Sequence, residues 1–478
     1  MKISLPLANN DHTTTHVDTV IMGGGQAGLA MSRCLFDRSI DHVVLERGSV
    51  GERWRSSYWD SLRLLTPNWY SRLPGGWHYR GPDQDQFMTA KEFVNYLEHY
   101  AASFQAPIKT NNEVILLESI VSDETENTHN GNDGNQQTKF KLTTQTGEIF
   151  CAKNVVLATG YCDSPKVPPC SEKIPSFVRQ ITAVDYKNPS QILQHNDHNM
   201  LKTGGDILIV GSGASGLQIA KELVKATKDD PNVRVTISSG RHTRCPRSYR
   251  GKDILWWLDR TGALACPANQ VEEKQSPGPQ LTGDSDYADI NLYVLNQKFG
   301  VQVVGKLTNV TEDNVLTFDN DSLKKHLEEA DLKCVQMMQL MDDCVTKHGL
   351  NAQNTSNLLD IPASHETLCP QLQMDASSSS PDKMQITSNR PFCIIWATGF
   401  TRHYPFLSDS LRRKFWDPTR KILKNDGGVV TAEEGLYVLG YRWSRRKNSN
   451  FVDGVGLDAK ELVDHMLGVR TGWREMNG

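Results

Sequence analysis

The chain has 478 residues, 38% of them apolar, and a formal net charge of −4. This length exceeds what one hydrophobic core usually supports, so at least two domains are expected. The small net charge excludes a general attraction to nucleic acid or to an anionic membrane, so any anion must bind at a local site.

The ten cysteines are scattered, without a C-x-x-C pair and without cysteine–histidine spacing typical of zinc. We therefore expect reduced thiols, no metal site and no redox dithiol of the kind used by disulfide reductases. The N-terminal residues lack the basic and apolar regions of a secretory signal, and no apolar run is long enough to span a bilayer. We expect a cytoplasmic protein, and the sequence leaves a monomer and a homodimer open.

A first strand–turn–helix–strand unit follows a polar tail of about 17 residues. It comprises an apolar run at Thr19–Met22, a helical pattern over Gln26–Asp37 and a second apolar run at His42–Glu46. The turn reads GGGQAG over residues 23–28, the G-x-G-x-x-G pattern of dinucleotide-binding folds. Because a helix begins at this turn, its N-terminal amides would point at a diphosphate.

Each glycine of this pattern has a physical role. Gly23 allows the tight turn, Gly25 lets the backbone approach a pyrophosphate, and Gly28 lets the helix pack on the strand. Glu46 ends the next strand about 18 residues after Gly28, where a carboxylate accepts hydrogen bonds from both ribose hydroxyls. The pattern alone is compatible with an ordinary glycine-rich turn, but strand, helix and acid together predict a dinucleotide site.

The middle of the first module is less regular. A tryptophan-rich stretch covers residues 52–80, and a helical pattern covers Ala90–Phe104. Residues 122–138 are polar and low in complexity, which predicts a solvated hairpin loop. The run VVLATG at residues 155–160 closes the module, and the linker Val167-Pro-Pro follows.

A second unit runs from Asp206 to Ser238 and contains GSGASG at residues 211–216. Its second strand ends in Ser238-Ser-Gly-Arg-His242 and not in an acid. A carboxylate there would repel a 2′-phosphate, whereas the Arg241 guanidinium pairs with one, so this site favours NADP(H). The alternative is that Arg241 is a solvated loop residue. Three further arginines would share the phosphate or coat the surface, namely Arg244, Arg247 and Arg250.

An acid at one site and basic residues at the other imply two different nucleotides. The simplest pairing is FAD at the first and NADPH at the second, with a hydride passing between them. The run FCIIWATGF at residues 392–400 echoes VVLATG, so the chain is expected to leave the first domain near 166 and to return near 393.

We therefore predict an α/β fold with two Rossmann-like βαβ domains, the second inserted in the first. The FAD-binding domain would comprise residues 1–166 and 393–478, and the NADPH-binding domain residues 167–392. Residues 351–390 would form a long polar insert in the second domain. The active site would lie where the two nucleotide crevices face each other.

Further motifs carry a resemblance to a known family. They are GERWR at 51–55, WDSLRLLTPNW at 59–69, PRSYRGKDILWW at 246–257 and SRRKNSNFVDGVGLDA at 444–459. Together with the two glycine patterns and the two A-T-G turns, they resemble the class B flavin-containing monooxygenases. More closely, the chain looks like the bacterial branch labelled as a flavoprotein involved in potassium transport. The resemblance covers nearly the whole chain except the two polar inserts.

The resemblance implies an activity. NADPH reduces FAD, dioxygen adds at the flavin C4a position to give a (hydro)peroxyflavin, and a small organic substrate is oxygenated at nitrogen, sulfur or a carbonyl. Bound NADP⁺ shields the oxygenating species. The protein then mainly orients the cofactors and excludes water.

The resemblance also implies site residues. Residues 51–54 and Thr66 would lie along the flavin, Ala158–Gly160 would border it, and Asp453–Asp458 would approach it from the C-terminal side. The expected cofactor-binding residues are Gly23, Gly25, Gln26, Ala27, Gly28, Glu46, Arg47, Gly51, Glu52, Arg53, Trp54, Thr66, Ala158, Thr159, Gly160, Gly211, Ser212, Gly213, Ala214, Ser215, Gly216, Arg241, His242, Thr398, Gly399, Asp453, Gly456 and Asp458.

The chain departs from the family pattern at two places. In the linker Phe177–Tyr186, Arg179 and Thr182 stand where the family has a glycine and a histidine. Leu65 stands where the family often has an asparagine that stabilises the oxygen adduct. The expected catalytic residues are therefore Thr66, Asn68 and Thr182, with Asn68 alternatively an ordinary turn residue beside a proline.

The leading function is an NADPH-dependent flavoprotein monooxygenase that acts on a small molecule and dioxygen. The altered linker favours the alternative of an NADPH-dependent flavin oxidase or reductase without oxygen transfer. A third alternative, a nucleotide-sensing regulatory subunit of a transporter, rests only on the label of the related branch.

Three other groups of residues have a structural and a functional interpretation. The first would form core or a substrate cage, and comprises Trp54, Trp59, Trp69, Trp77, Trp256 and Trp257. The second would fill core or line a channel, and comprises Met337, Met338 and Met341 on a helical pattern over Ser322–His348. The cationic run Arg442–Lys447 would be a solvated loop or would contact an anion.

Overall fold

The computed structural model describes residues 14–120, 138–162, 164–194, 204–270, 277–284, 288–348, 382–419 and 422–469. Its main strands are β1 (Thr14–Met22), β2 (His42–Leu45), β3 (Ile108–Lys109), β4 (Val114–Ser119), β5 (Phe140–Thr144), β6 (Ile149–Leu157), β7 (Arg179–Thr182), β8 (Gly205–Val210), β9 (Val233–Ser238), β10 (Gln302–Val304), β11 (Lys306–Val310), β12 (Val315–Asp319), β13 (Lys383–Gln385), β14 (Phe392–Trp396) and β15 (Leu436–Val438).

The helices cover the sheets and connect their strands. They are α1 (Gln26–Phe36), α2 (Glu52–Ser56), α3 (Ala90–Ser103), α4 (Pro189–Leu193), α5 (Ala214–Ala226), α6 (Ile254–Arg260), α7 (Leu292–Phe299), α8 (Asp321–His348), α9 (Asp409–Phe415) and α10 (Val452–Met466). None of the described helices is long and apolar enough to cross a bilayer.

The first sheet has seven strands in the order β3-β2-β1-β6-β5-β4, and β15 also pairs with β6. The central pairs β2–β1, β1–β6 and β6–β15 are parallel, whereas β4, β5 and the first half of β6 form an antiparallel meander. Parallel strands are buried on both faces, which explains the continuous apolar runs at the ends of β1 and β6. Helices α1, α3 and α10 pack on one face.

The second sheet has five parallel strands in the order β7-β14-β8-β9-β10. Helices α5 and α7 cover one face, and the antiparallel sheet β11-β12-β13 packs on the other. All five strands lie, in sequence, between β6 and β15 of the first sheet. The predicted α/β fold with two nucleotide-type sheets is therefore confirmed.

Three boundaries of the prediction were wrong. The strand at Phe392–Trp396 pairs with β7 and β8, so it belongs to the second sheet and the chain does not return to the first near residue 393. Lys383–Gln385 is a strand, although it was expected inside the polar insert 351–390. Strand β1 begins at Thr14, since residues 14–17 of the expected polar tail pair with β6.

Other expectations match the structure within a residue. The helical patterns at 26–37, 90–104 and 322–348 correspond to α1, α3 and α8. Strands β4 and β5, which flank the polar residues 122–138 in the sequence, pair antiparallel. Residues 121–137 and 349–381, which hold most of the two predicted inserts, lie outside the described part of the chain.

Candidate active site

The first glycine loop joins β1 to α1 with the backbone that the motif predicts. Gly23 has φ +110°, and a Cβ there would lie 2.6 Å from the carbonyl oxygen of Ala158 at the end of β6. A Cβ at Gly28 would lie 1.8 Å from the carbonyl oxygen of Gly23. A Cβ at Gly25 would meet nothing within 4 Å. The first and third glycines are thus required by packing, and the second presents bare backbone at the N-terminus of α1.

Glu46 follows β2 and turns its carboxylate back onto this loop. Its side chain is buried and accepts hydrogen bonds from the Gly24 amide at 2.5 Å and the Gly48 amide at 2.9 Å. The same turn leads into α2, since the Gly51 amide donates to the Gly24 carbonyl at 3.1 Å and Gly51 has φ +67°. These contacts join three segments into one continuous surface, namely residues 23–28, 46–48 and 51–56.

The second glycine loop repeats the first in detail. Gly211 has φ +112°, and a Cβ there would lie 2.3 Å from the carbonyl oxygen of Ala397, just after β14. A Cβ at Gly216 would lie 2.0 Å from the Gly211 carbonyl oxygen, and one at Gly213 would meet nothing within 4 Å. The helix that follows is α5, which begins at Ala214 and includes Ser215 in its first turn. This loop can cradle a second diphosphate for the same reason as the first.

The end of β9 differs from the end of β2. Ser238 is buried and donates to the Gly305 carbonyl at 2.8 Å, so it belongs to the packing of the sheet. Ser239 is also buried and shares a hydrogen bond of 2.6 Å with Ser212 of the glycine loop. Arg241 is exposed beyond them, whereas His242 is buried, which lowers its pKa below the ordinary value. A cation, and not a carboxylate, therefore lies next to this loop.

The three arginines expected to share a phosphate or to coat the surface do neither. Each is held by a carboxylate: Arg244 by Asp331 at 2.7 Å, Arg247 by Asp253 at 2.5 Å and Arg250 by Asp342 at 2.8 Å. Arg247 is 1% exposed and also donates to the Leu65 carbonyl at 2.9 Å. These side chains fasten the segment 244–253 to its surroundings, so the expectation was wrong for all three.

The expected catalytic residues come from two separate segments of the chain. Thr66 lies in the loop before a short helical turn, and Asn68 is the first residue of that turn, where it is buried and donates to the Asp83 carbonyl at 2.8 Å. Thr182 lies at the carboxyl end of β7, and its hydroxyl and amide both donate to Asp185, at 2.7 Å and 2.9 Å. No hydrogen bond within the described ranges joins Thr182 to either of the other two residues.

The A-T-G turns end equivalent strands of the two sheets. Ala158 follows β6, and Gly160 has φ +78° with no atom within 4 Å of a Cβ position. Gly399 has φ +85° and is equally open, while the Thr398 hydroxyl donates to the Lys166 carbonyl. Both turns therefore border the glycine loops.

The C-terminal residues divide into two environments. Asp453, in the first turn of α10, pairs with Arg72 at 2.7 Å, and a Cβ at Gly456 would lie 3.0 Å from Pro74. Asp458 is 1% exposed and pairs with Arg446 at 2.5 Å, and its burial raises the pKa of its carboxyl to about 6. Asp458 therefore belongs to a buried ion pair with Arg446, and its approach to a flavin stays a prediction.

Comparison with known proteins identifies the family. Residues 20–248 match the pyridine nucleotide-disulphide oxidoreductase family. The uncharacterized CzcO-like oxidoreductase of Geobacillus kaustophilus is 30% identical over 452 residues, which span 94% of this chain and 98% of the relative. The chain belongs to the CzcO-like oxidoreductase family. Membership confirms that the chain is an oxidoreductase, as predicted.

Two monooxygenases are also similar to this chain, one by sequence and one by structure. A probable indole-3-pyruvate monooxygenase of Arabidopsis thaliana is 28% identical over 49% of this chain and 50% of its own length. A solved flavin-containing monooxygenase from Stenotrophomonas maltophilia has 18% identity and a TM-score of 0.58, covering 95% of this chain and 99% of that chain. The structural likeness shows a shared fold, which confirms the predicted resemblance to that family.

The structure also brings Asn450, Tyr161 and Lys306, which are not among the expected site residues, into the surroundings of the two loops. The Gln26 side chain donates to the Asn450 carbonyl at 3.0 Å, and the Asn450 amide donates to the Tyr161 hydroxyl at 3.0 Å. Lys306, at the start of β11, lies 3.9 Å from a Cβ position at Gly240. These contacts join residues that are far apart in the sequence, so no local pattern predicts them.

Two of the six tryptophans and two of the three methionines named in the sequence analysis are buried in the core. Trp59 and Trp257 are fully buried, and Trp54 packs between the cores of the two sheets. Met338 and Met341 belong to a core cluster beside α6. Among the residues that the structure describes, no group of His, Cys, Asp and Glu is arranged to hold a metal ion.

Proposed function

We propose that the protein is an NADPH-dependent flavoprotein monooxygenase that binds FAD at the first glycine loop and NADPH at the second. The observation that carries this proposal is the pair of loops with matching backbones and opposite charge at the end of the following strand. Glu46 lies next to the first loop and Arg241 next to the second. Two loops that bind the same nucleotide would be expected to have the same charge at the following strand end. The opposite charges therefore favour two different nucleotides.

The first loop fits FAD through four features of this chain. Gly25 leaves open backbone for the diphosphate, and the N-terminus of α1 supplies amides and the positive end of a dipole. Glu46 already accepts from Gly24 and Gly48, so its orientation is set before a ribose arrives. The segment 51–56 and the loop holding Thr66 would lie along the isoalloxazine ring.

The second loop fits NADPH. Gly213 is open to a diphosphate at the N-terminus of α5, and no carboxylate ends β9. Arg241 would hold the 2′-phosphate, with His242 kept neutral by its burial. Bound FAD would supply the redox chemistry, taking a hydride from NADPH and passing electrons to dioxygen.

The oxygen-dependent function is favoured over disulfide reduction by the cysteines. The sequence contains no C-x-x-C pair, and burial raises the pKa of the Cys162 thiol, which follows the first A-T-G turn, to about 11. A thiol of that pKa is protonated at neutral pH and is a poor redox nucleophile. A small organic molecule and dioxygen are therefore the proposed substrates, in a cytoplasmic enzyme.

One observation favours a second candidate, an NADPH oxidase or reductase without oxygen transfer. Thr182 stands in place of the family's linker histidine, and its hydroxyl is already bound to Asp185. The Thr182 hydroxyl therefore donates no hydrogen bond to a bound nucleotide during oxygen activation. Its hydrogen bond to Asp185 instead stabilises the turn after β7.

A stopped-flow experiment separates the two functions. The FAD-loaded protein is reduced anaerobically with NADPH and mixed with oxygenated buffer, while the flavin absorbance is followed. A long-lived, blue-shifted species before the oxidised spectrum returns supports the monooxygenase. Direct return with release of hydrogen peroxide supports the oxidase. Protein that takes up no FAD contradicts both functions.

A further inference from the structure

Two arginines near the first glycine loop have no carboxylate partner among the described residues. Arg402 and Arg442 are partly buried, and each guanidinium lies over an aromatic ring, Tyr441 at 4.8 Å and Trp443 at 4.1 Å. Their neighbours in sequence behave differently, because Arg445 and Arg446 both bind Glu461. A partly buried cation without a counter-ion is unfavourable unless something else compensates it.

The charges of both arginines act on Cys162, as does the charge of Arg53, and the charge of Arg442 also acts on Tyr161. Burial raises the pKa of Cys162 to about 11, and the nearby charges of Arg402 and Arg442 oppose this rise. Burial also lowers the pKa of Arg442, and only Tyr161 and Cys162 oppose that effect. The electrostatic surroundings that the structure describes around Arg442 therefore contain no acid.

The backbone at this place is strained. Trp443 has φ +57°, a left-handed conformation that a large side chain rarely adopts. This conformation places the indole under the Arg442 guanidinium. Strain of this kind persists only where the surroundings impose it, and it is concentrated at functional sites.

Arg402 and Arg442 lie where the connections between the two sheets meet. Phe400–Thr401, just before Arg402, pairs with Ser164–Pro165, just after Cys162. On the other side, a Cβ at Gly440 would lie 2.8 Å from the Cβ of Ala27 in the first turn of α1. Tyr161 is joined to the same turn through Asn450 and Gln26. The two cations thus lie beside the first nucleotide loop and between the two nucleotide modules.

We propose that Arg402 and Arg442 form an anion site that binds the carboxylate of the organic substrate. The inference rests on the proposed function, and it narrows the substrate to a carboxylic acid. Each diphosphate already has a glycine loop at a helix N-terminus, so the unpaired cations at the junction suit a third ligand. A guanidinium pairs with a carboxylate through two parallel hydrogen bonds, which orients as well as binds it.

Calorimetric titration of the FAD-loaded protein with benzoate and with the neutral benzamide tests the proposal without turnover. We expect benzoate to bind about tenfold more tightly than benzamide, since a charged hydrogen-bonded pair has that effect on binding. Arg442→Gln and Arg402→Gln should each abolish this preference, and Arg442→Lys should retain part of it. Arg413→Gln, an exposed arginine on α9, is the matched control and should retain all of it.

Three results would overturn the site. The first is equal binding of benzoate and benzamide by the wild-type protein. This test needs no variant, so it applies even if a variant does not fold. The second is an unchanged preference in both Gln variants. The third is a Gln variant that still binds benzoate but loses FAD or shows a weaker NADPH dependence of flavin reduction. That result would mean that the arginine binds a nucleotide phosphate. Benzoate binding without a blue-shifted oxygen species would instead contradict the monooxygenase function and leave the anion site standing.

Discussion

In the first glycine loop, Gly23 and Gly28 touch the backbone at the end of β6 and each other, and in the second loop Gly211 and Gly216 do the same at the end of β14. Gly25 and Gly213 are open in both. The loops diverge only where the next strand ends, at Glu46 in one and at Ser239 and Arg241 in the other. The comparison separates two tasks: the glycines shape the diphosphate cradle, and the strand end selects the nucleotide.

The largest effect is expected when the packed glycine of the first loop is replaced. In Gly28→Ala, the new Cβ would lie 1.8 Å from the Gly23 carbonyl oxygen, so α1 must move away from β1. We expect a loss of about 3 kcal/mol in the free energy of unfolding, as for overpacked cores, measured by urea denaturation. Gly25→Ala is the control, since nothing lies within 4 Å of its Cβ position. Gly25→Ala should fold normally and bind FAD poorly. Equal stability of Gly28→Ala and the wild type would contradict a packing role for Gly28.

A second difference lies in the central strands, five residues before each glycine loop. Asp18 of β1 and Asp206 of β8 each precede the first glycine of their loop by five positions. Asp18 accepts hydrogen bonds from Thr19 and Asn154, whereas Asp206 is 6% exposed and binds Arg234 at 2.7 Å and Arg390 at 2.8 Å. The second sheet is therefore stabilised by salt bridges at a position where the first sheet has hydrogen bonds to neutral side chains.

We expect Asp206→Asn to lower the free energy of unfolding by about 2 kcal/mol at pH 7, below the range for fully buried pairs because Arg234 is largely exposed. Burial alone raises the pKa of Asp206, but the hydrogen bonds from Arg234 and Arg390 outweigh it and hold the pKa below its ordinary value. A depressed carboxyl pKa contributes stability above its unfolded value, about 4, that is lost as the pH falls. Denaturation between pH 3 and 7 should therefore show the wild type converging on the variant, with Asp18→Asn changing little.

Local patterns predicted the parts of the fold that neighbours in sequence determine. Glycine spacing located both loops, and the helical period located α1, α3 and α8, because each depends on residues within a few turns. The sheet membership of Phe392–Trp396 was missed because both sheets contain a strand ending in A-T-G, and only long-range pairing distinguishes them. The expected domain return near residue 393 failed for the same reason.

The candidate site was predictable to the same extent. The residues of the loops are where the motifs place them, but the charge of a side chain does not reveal its partner. Arg244 and Arg250 bind Asp331 and Asp342, almost a hundred residues away in the chain, so a list of basic residues could not separate them from Arg241. Arg442 is the converse case, because it was grouped with paired arginines and has no described carboxylate.

A moderate effect is expected at the strand end of the first loop. Glu46→Gln preserves the shape of the side chain and one acceptor for the Gly24 or Gly48 amide, but it removes the charge. Hydrogen bonds to a charged group contribute about 1.5 kcal/mol or more, so FAD affinity should fall about tenfold. Titration of the apoprotein, followed by flavin fluorescence, measures this. The NADPH/NADH preference of the reconstituted variant should not change, and a change would mean that the two strand ends are not independent.

The smallest effects concern the strand end of the second loop, where the interacting charges are exposed. Arg241→Ala should reduce the ratio of NADPH to NADH efficiency in flavin reduction by about fivefold, and Lys306→Ala by about threefold, because solvent weakens pairs at the surface. Lys306 is exposed at the start of β11, with its stem 3.9 Å from a Cβ position at Gly240.

The double variant discriminates between a shared and a separate role for these two cations. If both hold one 2′-phosphate, the combined loss should differ from the product of the single losses, since residues that bind the same group are energetically coupled. Arg413→Ala controls for the loss of a positive charge elsewhere on the surface and should leave the ratio unchanged. A ratio unaffected by Arg241→Ala and Lys306→Ala would mean that the absence of an acid after β9, and not the presence of a cation, sets the nucleotide preference of the second loop.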